Sequence, residues 1–289
     1  MPPTMSLVDP IFVPADRPDR VDKAMKLGVD AVIIDLEDAV APANKPLARK
    51  AAAELLRETT PECAVYVRVN GPGEPDLLAA DIEGLAPGWP AVDGVVLPKA
   101  ESADHVRHLA GLVPGKRLVP IVETALGIEH AASIAAATPP GGTLLFGPAD
   151  LSAELGIVPT ADGLELLMAR SRVVMACAAA GLARPIDGPW LNLDDETGLE
   201  VSARHARRLG FAGKTAIHPR QLPAIRAAFA ADADEVAWAR RVVAAFEEAE
   251  GAGVGAVRLA DGTFVDAPVA DRARSILRAS GATGGVAGG

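Results

Sequence analysis

The sequence predicts an α/β fold, a (β/α)8 TIM barrel followed by a C-terminal helical extension or lid. Short apolar runs alternate with amphipathic segments, which is typical of βα units on a parallel sheet. Eight such runs can be counted in 289 residues, and a barrel usually takes about 250 residues. A doubly wound open sheet is the alternative, but it more often shows a glycine-rich first turn. No GxGxxG follows the first run here.

The strand candidates are short and nearly continuous in apolar residues, as expected for strands buried on both faces. They cover residues 10–13, 31–36, 64–69, 94–97, 118–122, 143–146, 183–186 and 214–217. Amphipathic helical segments between them cover residues 20–27, 45–58, 103–112, 128–137, 163–180 and 198–209.

The residues after the eighth strand candidate predict two helices, at 219–229 and 234–250, and then a hairpin that turns at Asp261-Gly262. A last helix follows in ADRARSILRAS, and the final nine residues, GATGGVAGG, are expected to be a disordered tail. We therefore divide the chain into a catalytic barrel, residues 5–250, and an extension, residues 251–289. The extension is too small to fold alone, so we expect it to pack on the barrel or on a neighbouring subunit.

Composition excludes several classes of protein. The net charge is −10 and no basic run is present, which argues against nucleic acid or an anionic membrane as partner. Cys63 and Cys177 show no metal-binding spacing and are expected to be reduced. The N-terminus lacks a secretion signal and no apolar run approaches about 18 residues. These observations predict a soluble, cytoplasmic protein.

Two acidic residues follow neighbouring strand candidates. Glu123 directly follows the strand candidate in LVPIVETALGIEHA. Asp150 follows the strand candidate in TLLFGPADLSAELG, after a Gly-Pro turn. Because neighbouring strands lie about 4.8 Å apart, both carboxylates are expected at one sheet edge. Oxygen ligands without His or Cys indicate Mg²⁺, or Mn²⁺ as an alternative, with water or substrate completing the octahedron. Each acid could instead only cap the helix that follows it.

Other charged residues also follow strand candidates, where barrel active sites are built. Arg68, in VRVN, is either a structural ion-pair partner at the barrel rim or a bidentate ligand for a carboxylate or enolate oxygen. Asp35, Glu37 and Asp38 end the second strand. Alternation along the strand places Asp35 and Glu37 on one side, and some of the three are expected to form structural ion pairs.

Cationic side chains lie near the first strand candidate. Arg17, Arg20 and Lys23 open the first loop and helix, either as surface charges or as a phosphate site. His218 precedes a proline at the end of the eighth strand, where a histidine more often forms hydrogen bonds than acts as a base.

Seven blocks of the sequence together carry a family resemblance over residues 11 to about 278. They are FVPADRPDRVDKAMKLGVDAVIIDLEDAVAPANKPLAR, YVRVNGPG, GVVLPKAES, VPIVETALGI, LLFGPADLSAELG, GFAGKTAIHPRQL and DGTFVDAPVADRARSIL. In these blocks the chain resembles the citrate lyase β-subunit-like (CitE-like) family of the HpcH/HpaI aldolase superfamily. One small departure is Ala15, where the family often has glycine.

The resemblance implies a metal-dependent barrel, a homotrimer or hexamer, that cleaves or forms C–C bonds of 3-hydroxyacyl-CoA thioesters. It implies Glu123 and Asp150 as Mg²⁺ ligands and Arg68 as a substrate-binding and catalytic arginine. Asp266, in VDAPV, resembles the acid/base that the C-terminal segment places over a neighbouring subunit's site. The first loop, with Arg17, Arg20 and Lys23, and the IHP region with His218 resemble the coenzyme A surfaces.

Asp38 occupies the place where class II pyruvate aldolases of the superfamily carry a histidine. We assign it a catalytic role, and the difference favours CoA-ester lyases over pyruvate aldolases. The predicted function is cleavage or formation of malyl-, citramalyl-, citryl- or hydroxymethylglutaryl-CoA, to a short acyl-CoA and a keto acid. Alternatives are a β subunit of a citrate lyase complex acting on a citryl-acyl-carrier protein, a malate-synthase-like acyltransferase, and a non-enzymatic binding protein.

Overall fold

Eight parallel strands form a ring in the N-terminal part of the chain. The computed structural model describes residues 7–160 and 162–280. The strands are paired in sequence order. Parallel backbone hydrogen bonds close the ring between the first and eighth strands, from Phe12 N to Ala216 O at 2.9 Å and from Ala216 N to Pro10 O at 2.8 Å. The predicted (β/α)8 fold is confirmed.

The first six strands lie where the sequence predicts them, although the sixth is shorter than expected. The last two strands each have two residues and share only one residue with the predicted segments 183–186 and 214–217. In chain order, β1 to β8 cover Ile11–Pro14, Ala31–Asp35, Ala64–Arg68, Gly94–Leu97, Arg117–Val122, Leu145–Phe146, Ile186–Asp187 and Gly213–Lys214.

Helices surround the ring and follow most of the predicted segments. In chain order, α1 to α10 cover Pro18–Met25, Lys45–Glu58, Pro75–Gly84, Ala103–Leu112, Ala125–Glu129, Ala131–Ala137, Pro148–Leu155, Leu167–Ala179, Glu196–Leu209 and Leu222–Phe229. The predicted helix 128–137 is two helices, α5 and α6. The sequence analysis missed α3, because its buried residues, Leu78 and Asp81, include an acid that masks the apolar period.

Side chains alternate between the inside of the ring and the layer between strands and helices. In β2, Ile33 belongs to the inner cluster, whereas Val32 and Ile34 belong to the outer cluster that packs on the helices. The inner cluster comprises Leu7, Ala31, Ile33, Tyr66, Val96, Val119, Ile121, Leu145 and Ile186. This packing fixes the strand ends from which the site residues project.

The C-terminal residues form a compact unit of their own. The division falls after Phe229, whereas the sequence analysis placed it after residue 250. The unit contains α11 (Ala233–Gly251), an antiparallel hairpin of β9 (Val257–Arg258) and β10 (Phe264–Val265), and α12 (Ala267–Ala279). Its core is Ala239, Val242, Phe246, Val265, Ala270 and Ala273. Packing on a neighbouring subunit stays a prediction, and the expected tail, residues 281–289, lies outside the described residues.

No helix in the described ranges is both long and apolar enough to span a bilayer. Cys63 and Cys177 are both free thiols, the first half-buried and the second buried.

Candidate active site

A pocket of about 350 Å³ opens at the carboxyl ends of the strands. Its polar lining brings together Asp35 of β2, Asp38 of the following loop, Arg68 of β3, Glu123 after β5 and Asp150 of α7, with Phe12 of β1 beside them. These residues include both acids predicted as metal ligands and the predicted substrate-binding arginine. Both carboxylates and the arginine thus lie at one edge of the barrel, as expected, and their roles stay predictions.

Glu123 lies just past β5 and is only 3% exposed. Its Oε1 accepts a hydrogen bond from the backbone N–H of Lys99 at 2.8 Å. Burial, and then the negative charge of Asp150, raise the pKa of Glu123 to about 8. The two carboxylates are thus close enough to repel each other.

Gly147 makes room for the Glu123 side chain. A Cβ at this position would lie 2.4 Å from Glu123 Cβ and 2.5 Å from its Oε2. Such distances are far inside van der Waals contact, so only glycine permits the observed position of the carboxylate. The Gly147-Pro148 turn then starts α7, with Pro148 in its first turn and Asp150 two residues later.

The pair of acids fits a divalent cation. A cation between Glu123 and Asp150 would replace the mutual repulsion that raises the pKa of Glu123 with attraction to both carboxylates. Within the described ranges no cluster of three or more His, Cys, Asp or Glu side chains is arranged for a metal. Two carboxylate ligands, with water or substrate in the remaining positions, would be usual for Mg²⁺.

Arg68 forms a bidentate ion pair with Asp35. Its Nε donates to Asp35 Oδ1 at 2.8 Å and its Nη2 to Oδ2 at 2.5 Å, while Nη1 lies 2.9 Å from Glu37 Oε2. The guanidinium also lies over the Phe12 ring, 4.9 Å from its centroid. Burial alone would lower the pKa of Arg68, but the carboxylates, Asp35 first, raise it above its ordinary value.

The structure therefore contains the rim ion pair that was one interpretation of Arg68. Two of its five N–H donors are hydrogen-bonded to Asp35, Glu37 forms an ion pair with Nη1, and the side chain lines the pocket. Asp35 and Glu37 contact the same guanidinium, as strand alternation predicted. Binding of a substrate oxygen by the remaining donors stays a prediction.

Lys99, after β4, is a strand-end residue to which the sequence assigned no role. Its ammonium forms a short ion pair with Glu37 and lies 3.3 Å from Asp38 Oδ2. Among the non-glycine residues described, it alone has a positive φ, 49°. Burial would lower the pKa of Lys99, but the partner acids, Glu37 first, raise it. Its position at a strand end was the only signal available in the sequence.

A buried polar network holds the loop that carries Glu37 and Asp38. Lys45, 6% exposed, donates to the carbonyl oxygens of Leu36 at 2.9 Å and Glu37 at 3.0 Å, and also to Asn70 Oδ1. Asn70 in turn donates through Nδ2 to Asp81 at 2.6 Å. Because every member is buried and bonded, the network rigidifies this loop.

The other predicted site residues lie elsewhere than in this pocket's lining. Arg17, Arg20 and Lys23 are exposed on the first loop and α1, where Arg17 and Lys23 form weak local ion pairs with Asp16 at 3.9 Å and Asp19 at 3.8 Å. His218 caps a short 3-10 helix by accepting from Arg220 N at 3.2 Å. Their coenzyme A roles stay predictions.

Asp266 lies in the C-terminal unit, where its Oδ1 accepts from Val269 N at 3.2 Å at the start of α12. A proton-transfer role at a neighbouring subunit's site stays a prediction.

Comparison with known proteins agrees with this geometry. The family model for HpcH/HpaI aldolase/citrate lyase matches residues 10–219. The chain belongs to the HpcH/HpaI aldolase/citrate lyase family. The citrate lyase subunit beta-like protein of Mycobacterium tuberculosis H37Rv is 42% identical over 278 residues, 94% of each chain. The (3S)-malyl-CoA thioesterase of Cereibacter sphaeroides ATCC 17023 is 37% identical, covering 89% of this chain and 88% of the relative.

Solved structures of HpcH/HpaI proteins share the fold of this chain. The crystal structure of CitE from Mycobacterium tuberculosis in complex with magnesium, acetoacetate and coenzyme A superposes with a TM-score of 0.83 at 39% identity. The match covers 96% of this chain and 99% of that chain.

Proposed function

We propose that this protein is a Mg²⁺-dependent lyase that cleaves, or in reverse forms, a C–C bond of a 3-hydroxyacyl-CoA thioester. The observation that carries the proposal is the convergence of Glu123, Asp150 and Arg68 on one pocket at the carboxyl ends of the strands. Membership of a family of aldolases and lyases, and the magnesium and coenzyme A named in the CitE structure, support it. The substrate class is a small thioester of the malyl-, citramalyl-, citryl- or hydroxymethylglutaryl-CoA type, and the product a keto acid.

Glu123 and Asp150 would hold the metal. When bound, Mg²⁺ supplies a Lewis acid and a template for the substrate's oxygens. Lys99 holds Oε1 of Glu123 through its backbone N–H and Gly147 leaves room for Oε2, so the carboxylate is already oriented without a cation.

Arg68 would stabilise the negative charge that develops on the thioester enolate when the C–C bond breaks. Asp35 and Glu37 fix the guanidinium from one side, so its position does not depend on substrate. Pre-positioned donors of this kind contribute most to electrostatic catalysis. The aromatic face of Phe12 on the guanidinium further restricts its rotation.

Proton transfer is assigned to acids. Cleavage requires removal of the substrate's hydroxyl proton and later protonation of the enolate carbon. Asp38 lines the pocket and Asp266 starts α12 in the C-terminal unit; we propose Asp266 of a neighbouring subunit as the principal acid/base in a homotrimer or hexamer. Arg17, Arg20, Lys23 and His218 are proposed to bind the coenzyme A moiety.

The test is product analysis with purified protein, Mg²⁺ and a panel of 3-hydroxyacyl-CoA thioesters. Cleavage of malyl-CoA gives acetyl-CoA and glyoxylate, whereas hydrolysis gives malate and free coenzyme A. We expect acyl-CoA and keto acid in equal amounts, loss of activity with EDTA, and recovery when Mg²⁺ is restored. Asp150→Asn is expected to lower kcat/KM by about 100-fold or more, because transition-state charge stabilisation is lost.

Asp104→Asn is the matched control, since Asp104 occupies the first turn of α4 as Asp150 occupies that of α7. Both variants lose one carboxylate near a helix N-terminus, but only Asp150→Asn changes a residue that lines the pocket. Full activity of Asp150→Asn, or equal losses in both variants, contradicts the assigned metal ligand.

Thioester hydrolysis is the second candidate, favoured by similarity to the (3S)-malyl-CoA thioesterase. It predicts malate and free coenzyme A in the same assay, with no glyoxylate. A third outcome, activity only on citryl groups carried by an acyl-carrier protein, would instead place the chain in a citrate lyase complex.

A further inference from the structure

A second pocket, of about 340 Å³, lies beside the candidate active site. Its walls come from α8, α9, β8 and the loop after β7. The lining residues that matter here are Arg170, Trp190, Asn192, Ser202 and Lys214. Pro148 and Ala149 line both pockets, so a ligand here would touch the turn that leads to Asp150.

Two cations at the base of this pocket share one carboxylate. Lys214 is 1% exposed, Arg170 is 5% exposed and Asp187 is fully buried. Lys214 Nζ donates to Asp187 Oδ2 at 2.7 Å and Arg170 Nε to Asp187 Oδ1 at 3.0 Å. Two basic side chains thus share one carboxylate, and burial lowers the pKa of Lys214, because an uncompensated buried charge is costly.

Hydrogen-bond donors are also in excess around the pocket. An ammonium has three N–H donors, and within the described ranges the Lys214 ammonium reaches one acceptor, Asp187. The Nε1 of Trp190, which can only donate, is buried and has no hydrogen-bond partner among the described residues. An excess of basic side chains together with excess donors favours a ligand that is negative and rich in acceptors.

Two acids oppose this preference at the mouth of the pocket. Asp162 Oδ1 and Glu165 Oε2 each lie 2.7 Å from the hydroxyl of Thr160, which also lines the pocket. Both acids are exposed, so water and salt screen their charge much more than that of the buried cations. The buried Lys214 and Arg170 therefore determine that the pocket prefers an anionic ligand.

We propose that this second pocket binds a small oxyanion, a carboxylate or a phosphate, through Lys214 and Arg170. The site is separate from the proposed metal site, so its existence does not depend on the proposed reaction. Lys214 lies in GFAGKTAIHPRQL, a block of the sequence whose lysine has no role in the proposed chemistry.

The test is binding of inorganic phosphate and of malonate to the whole protein without metal, measured by titration calorimetry at constant low ionic strength. We expect one saturable site per chain. The higher of the affinities for phosphate and for malonate shows whether the pocket prefers a phosphate or a carboxylate. Lys214→Met is expected to weaken binding roughly tenfold or more, because a charge-assisted hydrogen bond is lost. Arg170 and Asp187 remain a balanced pair in this variant.

Lys50→Met is the matched control, because Lys50 is exposed on α2 and its removal changes the net charge equally. Asn192→Asp is a second variant that is expected to retain the fold, because its Oδ1 can still accept from Asp194 N, as that of Asn192 does at 3.1 Å. The substitution adds a negative charge to the wall of the pocket. It is expected to weaken anion binding several-fold. Absence of saturable binding, or equal affinity in wild type, Lys214→Met and Asn192→Asp, overturns the proposal.

Discussion

The backbone N–H of Lys99 donates to Glu123 Oε1 at 2.8 Å, from a residue whose φ is 49°. A side chain in the left-handed region is unfavourable by about 1–2 kcal/mol. Two ion pairs, with Glu37 and Asp38, hold Lys99 there. A strained backbone thus positions one of the two proposed metal ligands.

Lys99→Gly and Lys99→Ala measure this strain. Both variants lose the ammonium and differ only in tolerance of a positive φ, so we expect Lys99→Gly to be more stable than Lys99→Ala by about 1 kcal/mol. The opposite order is expected at Lys50, inside α2, where glycine costs about 1 kcal/mol relative to alanine. Urea unfolding of the four variants gives the comparison, and alanine being the more stable residue at both positions would contradict a strained Lys99.

Gly147→Ala is expected to displace the carboxylate of Glu123, because the new Cβ would lie 2.5 Å from Oε2. Overpacking of a buried site costs about 1–3 kcal/mol, and Mg²⁺ binding should weaken along with stability. Gly73→Ala is the control, since a Cβ there meets nothing within 4 Å. Calorimetric Mg²⁺ titration and urea unfolding separate the two variants; a Gly147→Ala protein with wild-type Mg²⁺ affinity would argue against Glu123 as a ligand.

Mg²⁺ affinity should depend on pH through Glu123. Its pKa is raised to about 8 by burial and by Asp150, and a cation binds the deprotonated carboxylate. We expect the apparent affinity to rise by up to about tenfold per pH unit below pH 8 and to level off above it. Glu123→Gln should bind weakly and lose this dependence. Calorimetric titrations between pH 6 and 9 make the measurement.

The metal-free protein should show the opposite trend in stability. Between its usual pKa of 4.5 and about 8, Glu123 binds more protons in the folded state than in the unfolded state. The free energy of unfolding therefore falls as pH rises, by at most about 1.4 kcal/mol per pH unit from this group. Glu123→Gln should remove that contribution, which urea unfolding in EDTA across the same pH range will show.

Lys45→Met tests the buried hydrogen-bond network that holds the loop carrying Glu37 and Asp38. The substitution leaves the carbonyl oxygens of Leu36 and Glu37 without the ammonium donor, so we expect a loss of about 3 kcal/mol in unfolding free energy. Lys50→Met, on the exposed side of the same helix, should stay within about 0.5 kcal/mol of wild type. Equal stability of the two variants would show that the buried lysine does not fix the loop.

The positions of the strands, and of Glu123 and Asp150 after two of them, could be predicted from the sequence because each depends only on a short local pattern of residues. A buried strand is a short apolar run, and the residue that ends it lies at the active edge of a barrel. That rule places Glu123, Asp150 and Arg68 at this edge, whereas their roles as metal ligands and as a substrate-binding arginine are implied by the family resemblance and stay predictions. The structure divides the chain after Phe229 and not after residue 250; the amphipathic pattern of α11 shows that one face is buried, but not which partner buries it.

Contacts between residues distant in sequence were decided only by the tertiary structure. Glu37 and Lys99 are 62 positions apart, and nothing local to either residue predicts their ion pair or the left-handed backbone of Lys99. The same holds for Lys45 and Asn70, and for the second pocket, where Arg170 and Lys214 meet at Asp187. Hydrophobic periodicity specifies which face of each element is buried, whereas the choice of a polar partner depends on the packing of all elements together.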